Sequence, residues 1–265
     1  ELEKWDVKRK SFIFETDGVV VKINNLKLND SLGFSGKDPR GSIAYKFKAE
    51  EATTKLLNVT WTVGRSGRLT PNAVLSPVSL GGTTISAASL HNMDTIKKVG
   101  VKIGDTVRIK RAGEVIPYVI GAVEDERNGT EIEIIPPTEC PVCHSPTVRV
   151  EGESDWNCSN RHCRERMFRN IENFVSKEYY DIDGVGSGVI RALFDANIIM
   201  DEADIFFINN PKNIAEMLEL DKFGETKVKK IVDAVEAAKK NGKAWQLLAS
   251  INISNVGKSL SKVLI

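Results

Sequence analysis

All four cysteines of the chain fall in one short segment, with the spacing Cys140-x2-Cys143-x14-Cys158-x4-Cys163. Two close pairs separated in this way can fold as two knuckles and present four thiolates at the corners of a tetrahedron. One structural Zn²⁺ closes that geometry. A disulfide framework would spread its cysteines along the chain, so clustered knuckles read as a metal site. His144 and His162 each adjoin a cysteine, and either could replace a sulfur as ligand. Few apolar residues surround the site, so its folding depends on the ion, whose binding is worth about 10–16 kcal/mol in small zinc peptides. The segment lies between a β-rich half and a helical half, where a metal would hold two modules in register.

A second pattern concerns anions. Ile182-Asp183-Gly184-Val185-Gly186 precedes an apolar helical stripe, as do Leu220-Asp221-Lys222-Phe223-Gly224 and Ile253-Ser254-Asn255-Val256-Gly257. Each unit is a short turn ending in glycine and then a helix, the helix-hairpin-helix pattern. A glycine there removes the Cβ that would hold a ligand away. The helix that follows offers unpaired N–H groups and its positive dipole end to a phosphate. Gly184, Gly186, Gly224 and Gly257 are therefore candidate DNA-binding positions, with helix packing corners as the alternative. Copies of such a device follow a duplex backbone without reading bases. Arg161, Arg164, Arg166 and Arg169 cluster on and after the last knuckle, and Lys97, Lys98, Lys102, Arg108, Lys110 and Arg111 cluster in the barrel region. Phosphates are their natural counter-charge, although single members could simply be solvated.

The elements that must position these groups follow from periodicity. Residues 12–23 and 43–47 read as strands, and short β-type runs recur at 59–63, 73–80, 83–88, 105–111, 115–123 and 131–135. Gly81-Gly82 supplies a hairpin turn, and one helix is expected near 92–99. About five strands with one helix fit a small closed barrel such as an OB-fold, with a short β-sandwich as the alternative. After Cys163, Met167, Phe168, Ile171 and Phe174 recur at helical spacing, and helices alternate with glycine-bearing turns to the end. With 41% hydrophobic and 28% charged residues the composition is that of a soluble globular protein. The net charge of +1 leaves any polyanion-binding face to local clusters. No apolar run approaches a membrane span, and no signal peptide opens the chain. Starting at Glu1 and ending at Ile265 within an amphipathic pattern, the chain reads as an internal fragment.

Five further runs carry a resemblance. Asp17-Gly18-Val19-Val20-Val21-Lys22 and Ala44-Tyr45-Lys46-Phe47 are similar to two nucleotidyltransferase motifs. Val63-Gly64-Arg65-Ser66-Gly67, Leu90-His91-Asn92-Met93-Asp94 and Arg111-Ala112-Gly113-Glu114-Val115-Ile116-Pro117 follow in order. Together with the cysteines and the glycine repeats, the whole chain resembles bacterial NAD⁺-dependent DNA ligases. The resemblance implies a multidomain α+β architecture. Its parts are the end of an adenylation domain with a partial nucleotidyltransferase sheet (1–49), an OB-fold barrel (50–137), a four-cysteine zinc finger (138–165) and an all-α helix-hairpin-helix domain (166–265). Gly41, Lys48, Glu114 and Tyr118 depart from the family's usual residues.

The same resemblance implies the chemistry. AMP passes from NAD⁺ to an enzyme lysine, then to a nick 5′-phosphate, and is displaced by the 3′-hydroxyl, with Mg²⁺ assisting. Lys22 and Lys46 would line the adenylate pocket. Arg9 and Arg65 would approach the DNA, and Asp17 would partner a metal or cation. The family's nucleophilic Lys-x-Asp-Gly motif is absent; Glu15-Thr16-Asp17-Gly18 and Asp181-Ile182-Asp183-Gly184 carry acids in its place. The parent would be a monomeric, cytoplasmic, nucleoid-associated enzyme acting on nicked duplex DNA in replication and repair. These residues alone would mainly bind DNA and would not self-adenylate. A non-catalytic zinc-dependent DNA-binding module and an RNA-binding zinc/OB protein are the other readings.

Overall fold

A strand that is apolar at every second residue must bury one face, and the run from residue 50 onward does so by closing on itself. The computed structural model describes residues 2–14, 16–111, 116–149, 152–253 and 255–265. Residues 112–115, which fall in the run 111–117 and include the first residue of the expected strand 115–123, lie outside them, as do Glu15 and Ser254 of two other motifs. Two compact units emerge, residues 1–60 with 71–135, and residues 61–70 with 136–265. No helix among the described residues is long and apolar enough to cross a membrane.

The first unit starts with α1 (Leu2–Lys8), β1 (Gly18–Lys22), α2 (Leu26–Ser31), the short pair β2 (Phe34–Ser35) and β3 (Asp38–Pro39), and β4 (Ser42–Lys46). The sheet expected here is only a ribbon. β1 pairs antiparallel with β4 and with no other strand among the described residues, in the register Gly18↔Lys46 to Lys22↔Ser42. The strand expected from residue 12 does not begin until Gly18. Phe12 instead stacks on Phe14 at 5.3 Å and lies 6.3 Å from Trp5, while Ile13 and Phe14 stay exposed. Apolar alternation produces a strand only where a partner edge exists to receive it.

The barrel uses β5 (Glu50–Val63), β6 (Arg68–Leu80), β7 (Thr83–Ser89), β8 (Thr106–Arg111) and β9 (Tyr118–Ala122), with α3 (Met93–Val99) between β7 and β8. Neighbours run β6-β5-β8-β9-β7, and a β6–β7 pairing closes the ring. The closing β7–β9 contact is parallel, at Ser89↔Tyr118. Five strands in this order with a helix between the third and fourth make an OB-fold. Leu56, Ala73, Leu75, Val107, Ile109 and Val119 are buried inside it. Gly81 and Gly82 both take positive φ, 57° and 69°, as a two-residue hairpin turn requires. Asn92 caps α3 by accepting from the Thr95 amide at 2.8 Å, and Gly100 ends it in the left-handed region at φ 65°. Residues 131–135 do not form the expected strand. Ile132 makes one bridge to Ile103, and Ile132 and Ile135 are exposed for want of a face to cover them.

In the second unit β10 (Thr147–Arg149) and β11 (Trp156–Cys158) precede six helices: α4 (Arg164–Val175), α5 (Ser187–Asp195), α6 (Pro211–Leu218), α7 (Glu225–Asn241), α8 (Ala244–Ser250) and α9 (Lys258–Leu264). Phe168, Ile171 and Phe174 of α4, Ile190, Leu193 and Phe194 of α5, and Val228, Ile231 and Val235 of α7 share one buried core. The helical spacing read from the sequence is the spacing that buries.

Candidate zinc centre and nucleic-acid-facing residues

Cys140, Cys143, Cys158 and Cys163 bring their sulfurs within 4.8 Å of one another. Cys140 and Cys163 Sγ atoms are 3.9 Å apart, and those of Cys143 and Cys158 are 3.5 Å apart. Four Zn–S bonds of about 2.3 Å in a tetrahedron require sulfurs about 3.8 Å apart, whereas a disulfide needs about 2.05 Å. The donor set and its spacing therefore fit one zinc ion. No histidine joins the cluster among the described residues, and His144 and His162 are exposed.

Local backbone explains how the knuckles form. His144 takes φ 57°, its amide donates to the Cys140 carbonyl at 3.0 Å, and the Cys140 amide donates to the Ser145 carbonyl at 2.8 Å. For Cys143, burial works against ionisation, but the Ser145 hydroxyl and amide outweigh it and draw the thiol down to about 6. Burial pushes Cys158 and Cys163 upward; at Cys163 the Arg166 and Glu165 amides at the start of α4 oppose that rise. Val63 and Leu69 pack with Cys140, Cys158 and Cys163, and Trp61 and Trp156 flank them. Sequence reasoning missed that residues 61–70 cover the site, because their alternation serves the barrel strands equally well.

Lys22 and Lys46 share one face of the β1–β4 ribbon, because Gly18, Val20 and Lys22 lie opposite Lys46, Ala44 and Ser42. Four residues separate them along the strands, a span of about 13 Å. Both are exposed, and Lys46 Nζ pairs with Asp17 Oδ2 at 3.3 Å. Three other candidates meet elsewhere. Arg9, Asp17 and Arg111 line one cleft of ≈ 830 Å³ with Phe12, Phe14 and Lys48. Neither Lys22 nor Lys46 lines it. Arg9 is held by Asp6 at 2.8 Å and the Thr16 carbonyl at 3.2 Å, with its guanidinium 5.0 Å above the Phe47 ring. Arg111 donates to Thr83 Oγ1 at 2.8 Å. Arg65 sits in the β5–β6 turn, with Nη1 buried and without a partner.

The three glycine turns repeat in space. Residues 182–185, 220–223 and 253–256 are each closed by an amide donating three residues back, at 3.1, 3.1 and 3.0 Å. The third residue of each turn is left-handed: Gly184 at φ 73°, Lys222 at 65° and Asn255 at 64°. Gly186, Gly224 and Gly257 then stand as N-caps of α5, α7 and α9, without side-chain caps and with open space where a Cβ would project. The basic cluster on and after the last knuckle already has partners within the protein. Arg164 turns to the Phe194 carbonyl, Arg169 to Glu165 and Glu172, and Arg166 to the carbonyls of Cys158 and Asn160. Acids and carbonyls of the helical unit thus already answer three of the four charges, while the fourth, Arg161, is exposed.

Residues 1–50 match the NAD-dependent DNA ligase adenylation domain, 53–131 the NAD-dependent DNA ligase OB-fold domain, and 139–164 the NAD-dependent DNA ligase C4 zinc finger domain. The chain is 39% identical over 263 residues to a DNA ligase of Clostridioides difficile. It is 43% identical to DNA ligases of Listeria monocytogenes and Shouchella clausii, over 263 and 262 residues. Each alignment covers 99% of this chain and 38% of the relative, so the chain spans well under half the length of these proteins. Domain matches that follow one another in a single enzyme's order, sustained by that identity through nearly every residue, make this chain a member of the NAD-dependent DNA ligase family.

Proposed function

We propose that these residues form the DNA-facing part of an enzyme that seals nicks in duplex DNA, working as a monomer in the bacterial cytoplasm and at the nucleoid. The observation that carries this reading is the ordered series of ligase domains, with the four-sulfur group inside the third. The division proposed is 1–49, 50–137, 138–165 and 166–265, the last a helix-hairpin-helix domain. The recurrence of one turn geometry at Gly184, Lys222 and Asn255, each followed by a glycine cap, supports that last assignment.

In this reading the parent enzyme would draw its adenylyl group from NAD⁺, and Mg²⁺ would supply charge neutralisation at the phosphates. Lys22 and Lys46 present two ammonium groups on one ribbon face to the nucleotide's phosphate or base, and Asp17 orients Lys46. Phosphoryl transfer depends mainly on such positioning and charge neutralisation. Arg9, Arg65 and Arg111 meet the DNA. The uncapped amides beyond Gly186, Gly224 and Gly257 donate to backbone phosphates, which makes binding insensitive to sequence.

The chain contains no Lys-x-Asp-Gly lysine, and this favours a second reading of these residues on their own, a zinc-dependent DNA-binding module without a catalytic step. Two measurements test both readings. Incubation with NAD⁺ and Mg²⁺ followed by intact-mass spectrometry is expected to show no added AMP, and an adduct would overturn that part. Binding to nicked duplex is expected to exceed binding to single strands at matched salt, with log affinity falling linearly against log salt. Tighter binding to single-stranded RNA would instead favour an RNA-binding role.

A further inference from the structure

We propose that Arg166 is a positioning residue joining the zinc knuckle and the turn that carries Arg65 into one mechanical element, so that zinc occupancy sets how Arg65 meets a nicked duplex. The functional half of this inference rests on the reading above that Arg65 contacts DNA.

Several independent bonds tie the turn to the knuckle. β11 adds to the end of β6, with Trp156 opposite Leu69 and Asn157 opposite Arg68. The amide of Cys158, a zinc ligand, donates to the Gly67 carbonyl at 2.8 Å. Arg68 pairs with Asp155 at 3.0 Å. Arg166 then closes the arrangement from α4. Its Nη1 donates to the Cys158 carbonyl at 3.3 Å and to the Asn160 carbonyl at 3.2 Å. Gly67 is in the left-handed region at φ 92°, and a Cβ built there would lie 2.9 Å from that same Nη1. Glycine thus permits both the bend and the close approach of the guanidinium. Val63 and Leu69, on either side of the turn, are buried in one cluster with Cys140, Cys158 and Cys163.

Arg65 has little to hold it by itself. The turn is closed by Gly67 donating to Gly64 at 2.9 Å and Gly64 donating to Arg68 at 2.8 Å. Arg65 Nη1 is buried with no partner. A buried donor left unmade is unfavourable. The base of the side chain is placed by the turn's scaffold, and turning the guanidinium outward onto a phosphate oxygen would satisfy the orphaned N–H. Loss of the ion removes the order of Cys158, and with it the hydrogen bonds to Gly67 and from Arg166 that fix the scaffold.

The test uses the full zinc-loaded chain and the variants Arg65→Ala, Arg166→Ala, Arg166→Lys and the double alanine variant. Three readouts are taken: the absorption of the cobalt-substituted thiolate site, amide exchange across residues 64–69, and affinity for a nicked duplex. Arg166→Ala is expected to keep one metal and an unchanged cobalt spectrum, yet to speed exchange across 64–69. Both single alanine variants are expected to weaken binding on the order of ten-fold, with the double variant no weaker than either. Arg166→Lys, which can still donate to one carbonyl, recovers part of the loss. Should Arg166→Ala lose the metal, Gly67→Ala takes its place in the same pairing with Arg65→Ala, since it crowds Nη1 without removing a ligand. Stripping zinc by chelation is expected to erase the difference between wild type and Arg65→Ala. Multiplying losses in the double variant, unchanged exchange across 64–69, or a surviving Arg65 effect without metal would each overturn the coupling. Undiminished binding by zinc-loaded Arg65→Ala would overturn the functional half alone, with the exchange data still reporting on the mechanical link.

Discussion

The zinc knuckle and the β1–β4 ribbon are both legible as site-bearing segments, yet they are built in opposite ways. Around the knuckle, three of four ligands are buried and packed by Val63 and Leu69, and main-chain bonds from two other segments fix the loop. On the ribbon, Val20, Val21, Ile43 and Tyr45 are exposed beside Lys22 and Lys46. A short motif places its residues only as firmly as the core beneath it. In the second unit α4, α5 and α7 share such a core, whereas the described residues of the ribbon are two strands whose apolar side chains are largely exposed.

Substitutions can sharpen or break this contrast. The largest effect is expected from the metal. Cys140→Ser, or chelation, should remove interaction worth on the order of 10 kcal/mol and disorder the knuckle, read as lost metal stoichiometry and altered Trp61 and Trp156 fluorescence. Ribbon amides should exchange as before. Next, Phe194→Ala, at a fully buried position, should destabilise the helical unit by about 3–5 kcal/mol in denaturant titration.

Comparable in kind is Asp105→Ala in the barrel. Asp105 is fully buried and accepts from Arg127 Nε at 2.7 Å and from the Lys102 amide at 2.7 Å. Losing its bidentate carboxylate would leave Arg127 only the Gly100 carbonyl and Glu124, at 3.7 Å, and should cost about 3 kcal/mol, which a thermal melt would detect. Burial alone would raise the Asp105 carboxyl, but Arg127 and the Lys102 amide together hold it below its usual value. Its contribution is therefore present above the ordinary carboxylate range and is lost as pH falls through the lowered folded value, and Asp105→Ala should flatten that acid limb.

Smaller again, Gly184→Ala should cost about 1 kcal/mol because φ is 73°, while Lys222→Gly at φ 65° should cost nothing. At the bottom of the scale, Val20→Ala and Lys22→Ala should stay within about 0.5 kcal/mol, since both positions are exposed. A large loss from either ribbon variant would show that the ribbon has a covered face after all.

Legibility followed the range of the interaction. The cysteine knuckles, the Gly81-Gly82 turn, the helix at 93–99 and the three glycine caps are set by neighbours within a few residues, so spacing alone located them. Ring closure follows from strand count. The β7–β9 contact that completes it depends on residues almost thirty apart, and no local pattern encodes it. The partners of the basic residues were hidden for a related reason. Arg164, Arg166 and Arg169 read only as a cluster of charge, because the carbonyls that answer Arg164 and Arg166 come from other segments; Arg169 pairs with Glu165 and Glu172 of its own helix. The strand expected through residues 12–17 fails because composition cannot reveal whether an edge is waiting to receive it.

Open edges have a consequence of their own. The barrel strands are paired on both sides over most of their length, but β1 and β4, among the described residues, each pair on one side alone, beside solvent-facing valine and isoleucine. Such a ribbon is a template on which a further strand can grow. Lys22 and Lys46 stand at diagonal corners of it, and charges at such edges work against pairing with an identical copy.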